Sequence, residues 1–268
     1  MARALLQPLI EEGLIEASGV RAAVASEASA TRLRQELPIQ VDTDPAAAWG
    51  CPAVLLAVKP QQLEAVAAEA ARTAAATIAA GAGGSSSPSE RHPLLISVLA
   101  GVRLERLERL FPGWCCVRAV PNTPCLVRSG LTGLAWGRDV EATRREWVRS
   151  LFARVGEVLE LPEAQLDAFL ALTSSGPAFV ALIAEGLADG AVAAGLPRAQ
   201  ALHLAHRTLA GTADLLHQQE LHPGQLKDMV SSPAGTTIAG LRELERAGVR
   251  SALIEAVLAA ASRSRELG

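Results

Sequence analysis

A stretch of hydroxyl-bearing and small residues, Ser231–Leu241, has the composition of a small-anion site. Pro233 and Gly235 end any preceding element, and the apolar spacing of a helix follows them. Backbone N–H groups in the first turn of such a helix have no partner inside it, and with the helix dipole they attract a carboxylate. The same residues also suit an ordinary capped helix, so the stretch alone leaves both interpretations open.

Four other segments end in small, polar or proline residues directly after an apolar run typical of a buried strand. These strand ends are Ser26, Ala57–Pro60, Ala100–Gly101 and Pro121–Pro124. Ligands of parallel α/β sheets bind beyond the carboxyl ends of the strands. Short side chains there allow the backbone to approach phosphate and ribose groups. The sequence therefore predicts a nucleotide groove at this edge.

Short apolar strands alternate with helical segments through the first 160 residues. This alternation predicts an α/β domain with a doubly wound, mostly parallel Rossmann-like sheet, covered by helices on both faces. Strands are predicted at residues 20–25, 39–41, 53–58, 94–99, 116–120, 131–136 and 156–161. Helices are predicted at residues 2–15, 27–36, 44–49, 61–80, 103–110 and 141–153. The low-complexity insert Gly81–Ser89 is expected to be a surface loop.

After Pro162 the pattern is almost entirely helical. Helices are predicted at about 163–173, 177–194, 198–219, 223–230, 236–246 and 249–266. We therefore divide the chain near residue 160, into an α/β nucleotide domain (1–160) and an all-α domain (161–268). The helices carry more apolar and small positions than one small bundle can bury, which predicts a homodimer.

Composition argues against several other classes of protein. The 268 residues carry a formal net charge of −3, so neither nucleic acid nor a membrane surface is an expected partner. No uninterrupted apolar run reaches the ~18 residues that span a bilayer, and the N-terminus does not fit a signal peptide. The four cysteines lack metal-ligand spacing and fit reduced thiols of a cytoplasmic protein. His203 and His206 lack further ligands at suitable spacing, so no metal is expected.

One expected feature is missing. A nucleotide-binding α/β domain normally begins with a strand and a glycine-rich turn before its first helix. No G-x-G-x-x-G occurs in the chain, which begins at a predicted helix. Either the phosphate-binding turn is absent or the chain as given starts downstream of the true start. As given, the chain would lack the first strand and the N–H groups that hold a pyrophosphate.

Several motifs together resemble pyrroline-5-carboxylate reductase over essentially the whole chain. The longest match is His222–Leu241, which has the character of the family signature throughout. Four shorter matches occur in the family's order: Leu56–Gln61, Arg118–Pro124, Ser174–Phe179, and Ala188–Gly190 followed by Gly195–Arg198. Met1 and Ala2 resemble the end of the family's glycine-rich motif.

The resemblance implies an NAD(P)H-dependent oxidoreductase that reduces pyrroline-5-carboxylate to L-proline, the last step of proline biosynthesis. It implies a dinucleotide domain followed by a helical domain that interlocks with a second subunit. By resemblance, Ser232 and the backbone N–H groups of Gly235 and Thr236 hold the substrate carboxylate. Thr237 reaches the ring nitrogen in an orienting role, and Glu220 is a candidate for relaying protons through water.

For NADPH or NADH, the resemblance places Ala57, Val58, Lys59 and Pro60 along the ribose and pyrophosphate. It places Ala100, Asn122 and Thr123 near the nicotinamide ribose. Ser26 ends the strand where the adenosine ribose lies.

Glu27 follows Ser26, and Asp44 stands where the family commonly has Asn. Two acids and no arginine near a 2′-phosphate predict a weaker preference for NADPH than is usual, with use of NADH.

Two other functions stay open at this point. One is a catalytically impaired relative that acts as a helical oligomer because the phosphate-binding turn is absent. The other is a reductase of another cyclic imine or of a keto acid.

Overall fold

The computed structural model describes residues 2–79 and 92–267 of the chain. The predicted loop Gly81–Ser89 lies outside the described residues. The chain divides into two compact units, Met1–Ser174 with Ala261–Gly268, and Ser175–Ala260. The sequence analysis places its boundary earlier, near residue 160.

The described residues of the first unit form seven strands in two sheets. They are β1 (Arg21–Ala23), β2 (Gln40–Asp42), β3 (Ala53–Leu56), β4 (Leu94–Ser97), β5 (Cys115–Pro121), β6 (Gly130–Trp136) and β7 (Gly156–Glu160). A parallel pair β1-β2 forms one sheet, and β3-β4-β5-β6-β7 forms the other. All neighbours in the larger sheet are parallel except β5 and β6. The predicted mostly parallel α/β fold is confirmed, although the strands form two sheets.

Helices cover both faces of the larger sheet, because successive side chains of its strands point to opposite sides. The helices of this unit are α1 (Ala2–Glu11), α2 (Glu27–Glu36), α3 (Ala46–Trp49), α4 (Leu63–Ala79), α5 (Leu104–Leu110), α6 (Ala142–Ala153) and α7 (Leu166–Thr173). Cys116 and Val120 of β5 share one core with α3, α4, α5 and α7. Cys115, Val117 and Ala119 share the other with α1 and α6.

Strand β3 is the least buried of the parallel strands β3, β4 and β5 in the larger sheet. Every residue of β4 and β5 is buried, whereas only Leu56 of β3 is. Among the described residues, β4 is the one strand that pairs with β3. The outer edge of β3 therefore keeps its backbone groups unpaired, which accounts for its partial exposure.

A buried arginine ties three distant segments of the first unit together. Arg118 of β5 is 1% exposed and pairs with Glu163 at 3.2 Å and Asp167 at 3.3 Å. The same Asp167 oxygen accepts a hydrogen bond from the Ser264 hydroxyl at 2.8 Å. Buried charges persist only when paired, so these contacts join β5, α7 and the end of the chain.

The second unit is helical throughout. It comprises α8 (Gly176–Ala193), α9 (Arg198–Gln218), α10 (Pro223–Met229), α11 (Thr236–Arg246) and most of α12 (Val249–Leu267). Its buried apolar side chains are all alanines, namely Ala184, Ala188, Ala201 and Ala205. Large aliphatic side chains of the same helices are exposed instead, among them Val180, Leu182, Leu187, Leu204 and Leu258.

The helical stretch Glu163–Ala193 is long and apolar enough to cross a membrane by length and composition alone. By this criterion the chain has a candidate span, where the sequence analysis predicts none. The stretch comprises α7 and α8 and is broken at Ser174 and Ser175. Core and interface helices pass the same test, so it is weak evidence for a membrane.

Candidate active site

A tight turn precedes helix α11 in the predicted anion site. The Gly235 N–H donates to the Ser232 carbonyl at 3.0 Å, closing a turn with Pro233 and Ala234 at its centre. Proline suits the first central position because its φ is fixed, while Ala234 has a φ of 56° at the second. Non-glycine residues rarely adopt this left-handed conformation, so the surrounding structure holds the turn in place.

Gly235 is needed for a close approach at this turn. A Cβ at this position would collide with the Ser232 hydroxyl and lie 3.0 Å from the Ser232 carbonyl oxygen. Because Gly235 is also the residue before α11, the Ser232 hydroxyl lies against the start of the helix. Its own N–H is used in the turn, so the contact of the Gly235 N–H with a carboxylate stays a prediction that this geometry does not favour. The N–H groups of Thr236 and Thr237 have no acceptor inside the helix.

The two remaining predicted substrate residues differ in their surroundings. Thr237 is half-buried in the first turn of α11. Glu220 is exposed after the end of α9 and has a φ of 49°. No hydrogen bond or ion pair within the described chain joins Glu220 to residues 231–237. We name Ser232, Thr236 and Thr237 the clamp.

Sequence reasoning misses Ser231 as a candidate. Its Oγ is buried and has no hydrogen-bond partner among the described residues. A buried hydroxyl without a partner is unfavourable, so it marks a position where a ligand or water would be accommodated. No sequence signal separates it from Ser232, because both are serines before the same proline.

A cavity of about 580 Å³ opens beside the clamp within the second unit. Its size falls in the range of small-molecule sites. Lys227 and Arg242 contribute positive charge, and Arg250 pairs with the acid Glu245 at 2.7 Å. That hydrogen bond from Arg250 holds the pKa of Glu245 below its usual value, so the carboxylate stays charged and paired. The cavity wall is otherwise apolar, formed by Ala234, Ile238, Ala239 and Leu241.

The predicted cofactor residues of the larger sheet lie at one edge. The parallel register aligns Leu56 of β3 with Ser97 of β4, and Ser97 with Arg118 of β5. The residues that follow these strands therefore emerge on the same side. Ala57, Lys59, Ala100 and Thr123 are exposed there, and Val58 and Pro60 are half-buried.

Asn122 differs from the other residues of this edge. Its side chain is 4% exposed and its amide donates to the Thr173 carbonyl at 2.9 Å. Its amide oxygen accepts from the Leu131 N–H at 2.9 Å. Because both ends of the side chain are used, its role is to join β5, β6 and α7. Because the side chain is 4% exposed and held at both ends, a cofactor would meet the backbone of Asn122 more readily than its amide.

Ser26 and Asp44, the predicted adenosine-end residues, both cap helices. The Ser26 hydroxyl accepts from the Ser29 N–H at 3.3 Å, and an Asp44 oxygen accepts from the Ala46 N–H at 3.0 Å. Asp42 accepts from the N–H groups of Asp44 and Thr43, and these two bonds lower its pKa.

The expectation of no arginine here is wrong. Arg34 forms an ion pair with Glu27 at 3.4 Å and donates to the Val41 carbonyl.

These observations fit an extended dinucleotide. At the edge of the larger sheet, Ala57 and Ala100 are exposed and present only a methyl group to a ligand. The ends of β1 and β2 add hydroxyl and carboxylate groups that suit a ribose.

Metal ligands are not assembled in the part of the chain that the structure describes. No group of three His, Cys, Asp or Glu side chains in residues 2–79 and 92–267 is arranged to hold an ion. All four cysteines are free thiols.

Comparisons with known proteins agree with this reading. Residues 163–267 match the family model for pyrroline-5-carboxylate reductase dimerisation, and residues 1–83 match that for NADP oxidoreductase, coenzyme F420-dependent. A pyrroline-5-carboxylate reductase of Synechocystis is 44% identical, covering 100% of this chain and 95% of the relative. The structure of a pyrroline-5-carboxylate reductase from Coxiella burnetii is 30% identical, covers 100% of this chain and 94% of that one, and has a TM-score of 0.84.

A pyrroline carboxylate reductase from Plasmodium falciparum with NADP bound is 26% identical. It covers 99% of this chain and 93% of that one, also with a TM-score of 0.84. The fold and the relatives together define an NAD(P)H-dependent oxidoreductase with a helical dimerisation domain. More narrowly, the chain belongs to the pyrroline-5-carboxylate reductase family, as its motifs predict.

Proposed function

We propose that this chain reduces 1-pyrroline-5-carboxylate to L-proline with NADPH or NADH, and that the clamp binds the substrate carboxylate. The observation that supports this most is the start of α11, where a hydroxyl lies against N–H groups that have no acceptor in the helix. A helix start of this kind favours a carboxylate through both its N–H groups and its dipole.

The clamp has a distinct task for each of its residues. We propose that the Ser232 hydroxyl and the N–H groups of Thr236 and Thr237 hold the carboxylate. The Thr237 hydroxyl donates to, or accepts from, the ring nitrogen as it changes from imine to amine. Thr237 is too weak an acid to supply the proton, which comes from solvent with Glu220 as the candidate relay. Fixing the ring orients its C=N carbon for hydride transfer.

The cofactor supplies the hydride when it is bound. We propose that Ala57, Val58, Lys59 and Pro60 line its ribose and pyrophosphate, with Lys59 as the positive charge. Among the described residues Lys59 has no ion-pair partner, so its charge is available for a phosphate. Ala100, the Asn122 backbone and Thr123 serve the nicotinamide ribose, and Ser26 and Asp44 serve the adenosine end.

The working form is a homodimer in this proposal. A unit whose buried apolar side chains are all alanines removes little apolar surface from water, while its leucines and valines stay exposed. A second copy that covers these helices would bury their exposed leucines and valines. The family's dimerisation model matches residues 163–267, which include these helices. The four free cysteines support a reducing compartment, which we propose is the cytoplasm.

Substrate analogues test the function of the clamp. Purified protein should convert pyrroline-5-carboxylate to proline with matching oxidation of NADH or NADPH. Removing the carboxylate, as in 1-pyrroline, should lower kcat/KM at least about tenfold because the charged hydrogen bonds are lost. The six-membered-ring homologue of pyrroline-5-carboxylate tests the alternative that the substrate is another cyclic imine. Proline formation that is no faster than reduction of 1-pyrroline would exclude the proposed role of the clamp.

A further inference from the structure

Four charged side chains meet where β1 and β2 end. Glu27 begins α2, and Arg34 lies two turns later on that helix. Asp42 ends β2, and Asp44 follows it. Register pairs Ala23 of β1 with Asp42 of β2, so the two strands end side by side. This is the end of a dinucleotide site where the adenosine ribose is read.

Arg34 is held in place by a backbone carbonyl. Its Nε and Nη2 donate to the Val41 carbonyl oxygen at 3.0 and 2.6 Å. The remaining nitrogen, Nη1, faces the Glu27 carboxylate at 3.4 Å. The guanidinium is therefore held in place, and Glu27 pairs with the nitrogen that is not bound to the carbonyl.

Glu27 differs from the two neighbouring acids in what it can still bind. Asp42 and Asp44 accept hydrogen bonds from backbone N–H groups and have local structural roles. Glu27 accepts from the Thr43 hydroxyl at 3.3 Å, and its side chain is 69% exposed. Its carboxylate can therefore accept hydrogen bonds from the hydroxyl groups of a ribose.

We propose that the Glu27–Arg34 pair sets the choice between the two nicotinamide dinucleotides. With Glu27 present, a ribose 2′-hydroxyl gains an acceptor, while a 2′-phosphate meets a negative charge and a guanidinium that is already paired. Without the Glu27 charge, Arg34 Nη1 becomes a donor to a 2′-phosphate from a fixed position. The proposal rests on the proposed use of NAD(P)H and names the residues that select between the two forms.

Binding measurements on the full chain, without imine substrate, test this directly. The dissociation constants of NAD⁺ and NADP⁺ are measured by calorimetry for the wild type, Glu27→Gln, Arg34→Met and the double variant. Glu27→Ser provides a second removal of the charge, and Glu16→Gln is the matched control for loss of an exposed acid away from the ends of β1 and β2. Thermal melting of each variant checks that it is folded.

We expect the wild type to bind NAD⁺ at least as tightly as NADP⁺. Glu27→Gln and Glu27→Ser should each tighten NADP⁺ binding about tenfold, because a like charge near the phosphate is removed. The double variant should lose that gain, and Glu16→Gln should leave both dissociation constants unchanged. A wild type that binds NADP⁺ tenfold more tightly than NAD⁺, or a gain in Glu27→Gln that persists without Arg34, would overturn the proposal.

These outcomes are separable from the proposed function. The constants require no imine, so a chain that binds dinucleotides selectively and forms no proline contradicts the function alone. A chain that forms proline with no change in NADP⁺ affinity in Glu27→Gln contradicts the selectivity pair alone.

Discussion

At the residue scale, the clamp depends on the close approach between the Ser232 hydroxyl and Gly235. The hydroxyl occupies the space that a Cβ at Gly235 would need, and the backbone φ of Gly235 is an ordinary −76°. Glycine is thus favoured because a Cβ would collide with the Ser232 hydroxyl, and not because the backbone is left-handed. Any side chain here moves the hydroxyl that we assign to the substrate carboxylate.

Gly235→Ala should raise the KM for pyrroline-5-carboxylate at least about tenfold through loss of one charge-assisted hydrogen bond. Gly240→Ala is the matched control on the same helix, because a Cβ at Gly240 would have no neighbour within 4 Å among the described residues. It should leave KM unchanged and stabilise α11 by up to about 1 kcal/mol. Steady-state kinetics and thermal melting distinguish the two variants, and an unchanged KM in Gly235→Ala would contradict the role of Ser232.

The cysteines provide a pH-dependent prediction at the same scale. Burial raises the pKa of Cys116 to about 12 and also raises the pKa values of Cys115 and Cys125. The thiolate is the reactive form, so these three stay unreactive at pH 8 while the protein is folded. Iodoacetamide followed by peptide mass spectrometry should label Cys51, which is partly exposed, and spare the others.

The same raised pKa values have a consequence for stability. Below about pH 8.5 the thiols are neutral in both the folded and unfolded chain, and their effect on folding is constant. As the pH rises from there towards 12, the unfolded chain releases its thiol protons first, so stability falls. Rapid labelling of Cys116 at pH 8 would contradict the burial of its thiol in β5.

At the scale of elements, the Arg118 network connects β5 to two later segments. Arg118→Met should destabilise the first unit by about 3–5 kcal/mol, because it leaves two carboxylates without their buried partner. Urea unfolding measures the change. Ser264→Ala is the milder control, since it removes one hydrogen bond to the Asp167 carboxylate and should cost about 1.5–3 kcal/mol. Equal stability of Arg118→Met and the wild type would contradict the structural role of the pair.

Local signals were enough to predict most elements. Helix α2 begins and ends at the predicted residues because Ser26 caps its start, and β4 and β5 are predominantly apolar. The long-range pairings could not be read in the same way. Arg118 stands within an apolar strand, and its partners follow 45 and 49 residues later.

The candidate site shows the same division. The hydroxyls and helix start at Ser231–Thr237 are local features, and the sequence indicates them directly. The use of the Gly235 N–H within the turn, and of the Asn122 side chain between strands, depends on three-dimensional contacts. Arg34 was missed for that reason, because its anchor is the carbonyl of Val41 on another element.

At the scale of the whole molecule, the helical unit cannot bury its own large side chains. Its packing between α8 and α9 uses Ala188, Ala201 and Ala205, while Leu182 is 70% exposed. Small residues let helices approach closely but remove little apolar surface. Assembly with a second copy is the proposed source of the missing stability.

Leu182→Glu should therefore weaken the dimer and lower its melting temperature at micromolar concentrations. A charge placed in an apolar interface must be desolvated without a partner, which is unfavourable. Light scattering after size exclusion measures the mass of the complex. Glu185→Gln, a change at an exposed position on the same helix, is the control and should remain dimeric. A wild type that is monomeric at these concentrations would contradict the homodimer.

The reduction of pyrroline-5-carboxylate is the central claim, and Thr237→Ala tests it most directly. Proline formation and NADH or NADPH oxidation are measured together for the wild type, Thr237→Ala and the control Thr208→Ala, which changes an exposed threonine on α9. We expect equal rates for the wild type and Thr208→Ala, and a kcat/KM at least about tenfold lower for Thr237→Ala. No proline from the wild type, or equal rates for all three proteins, would contradict this claim.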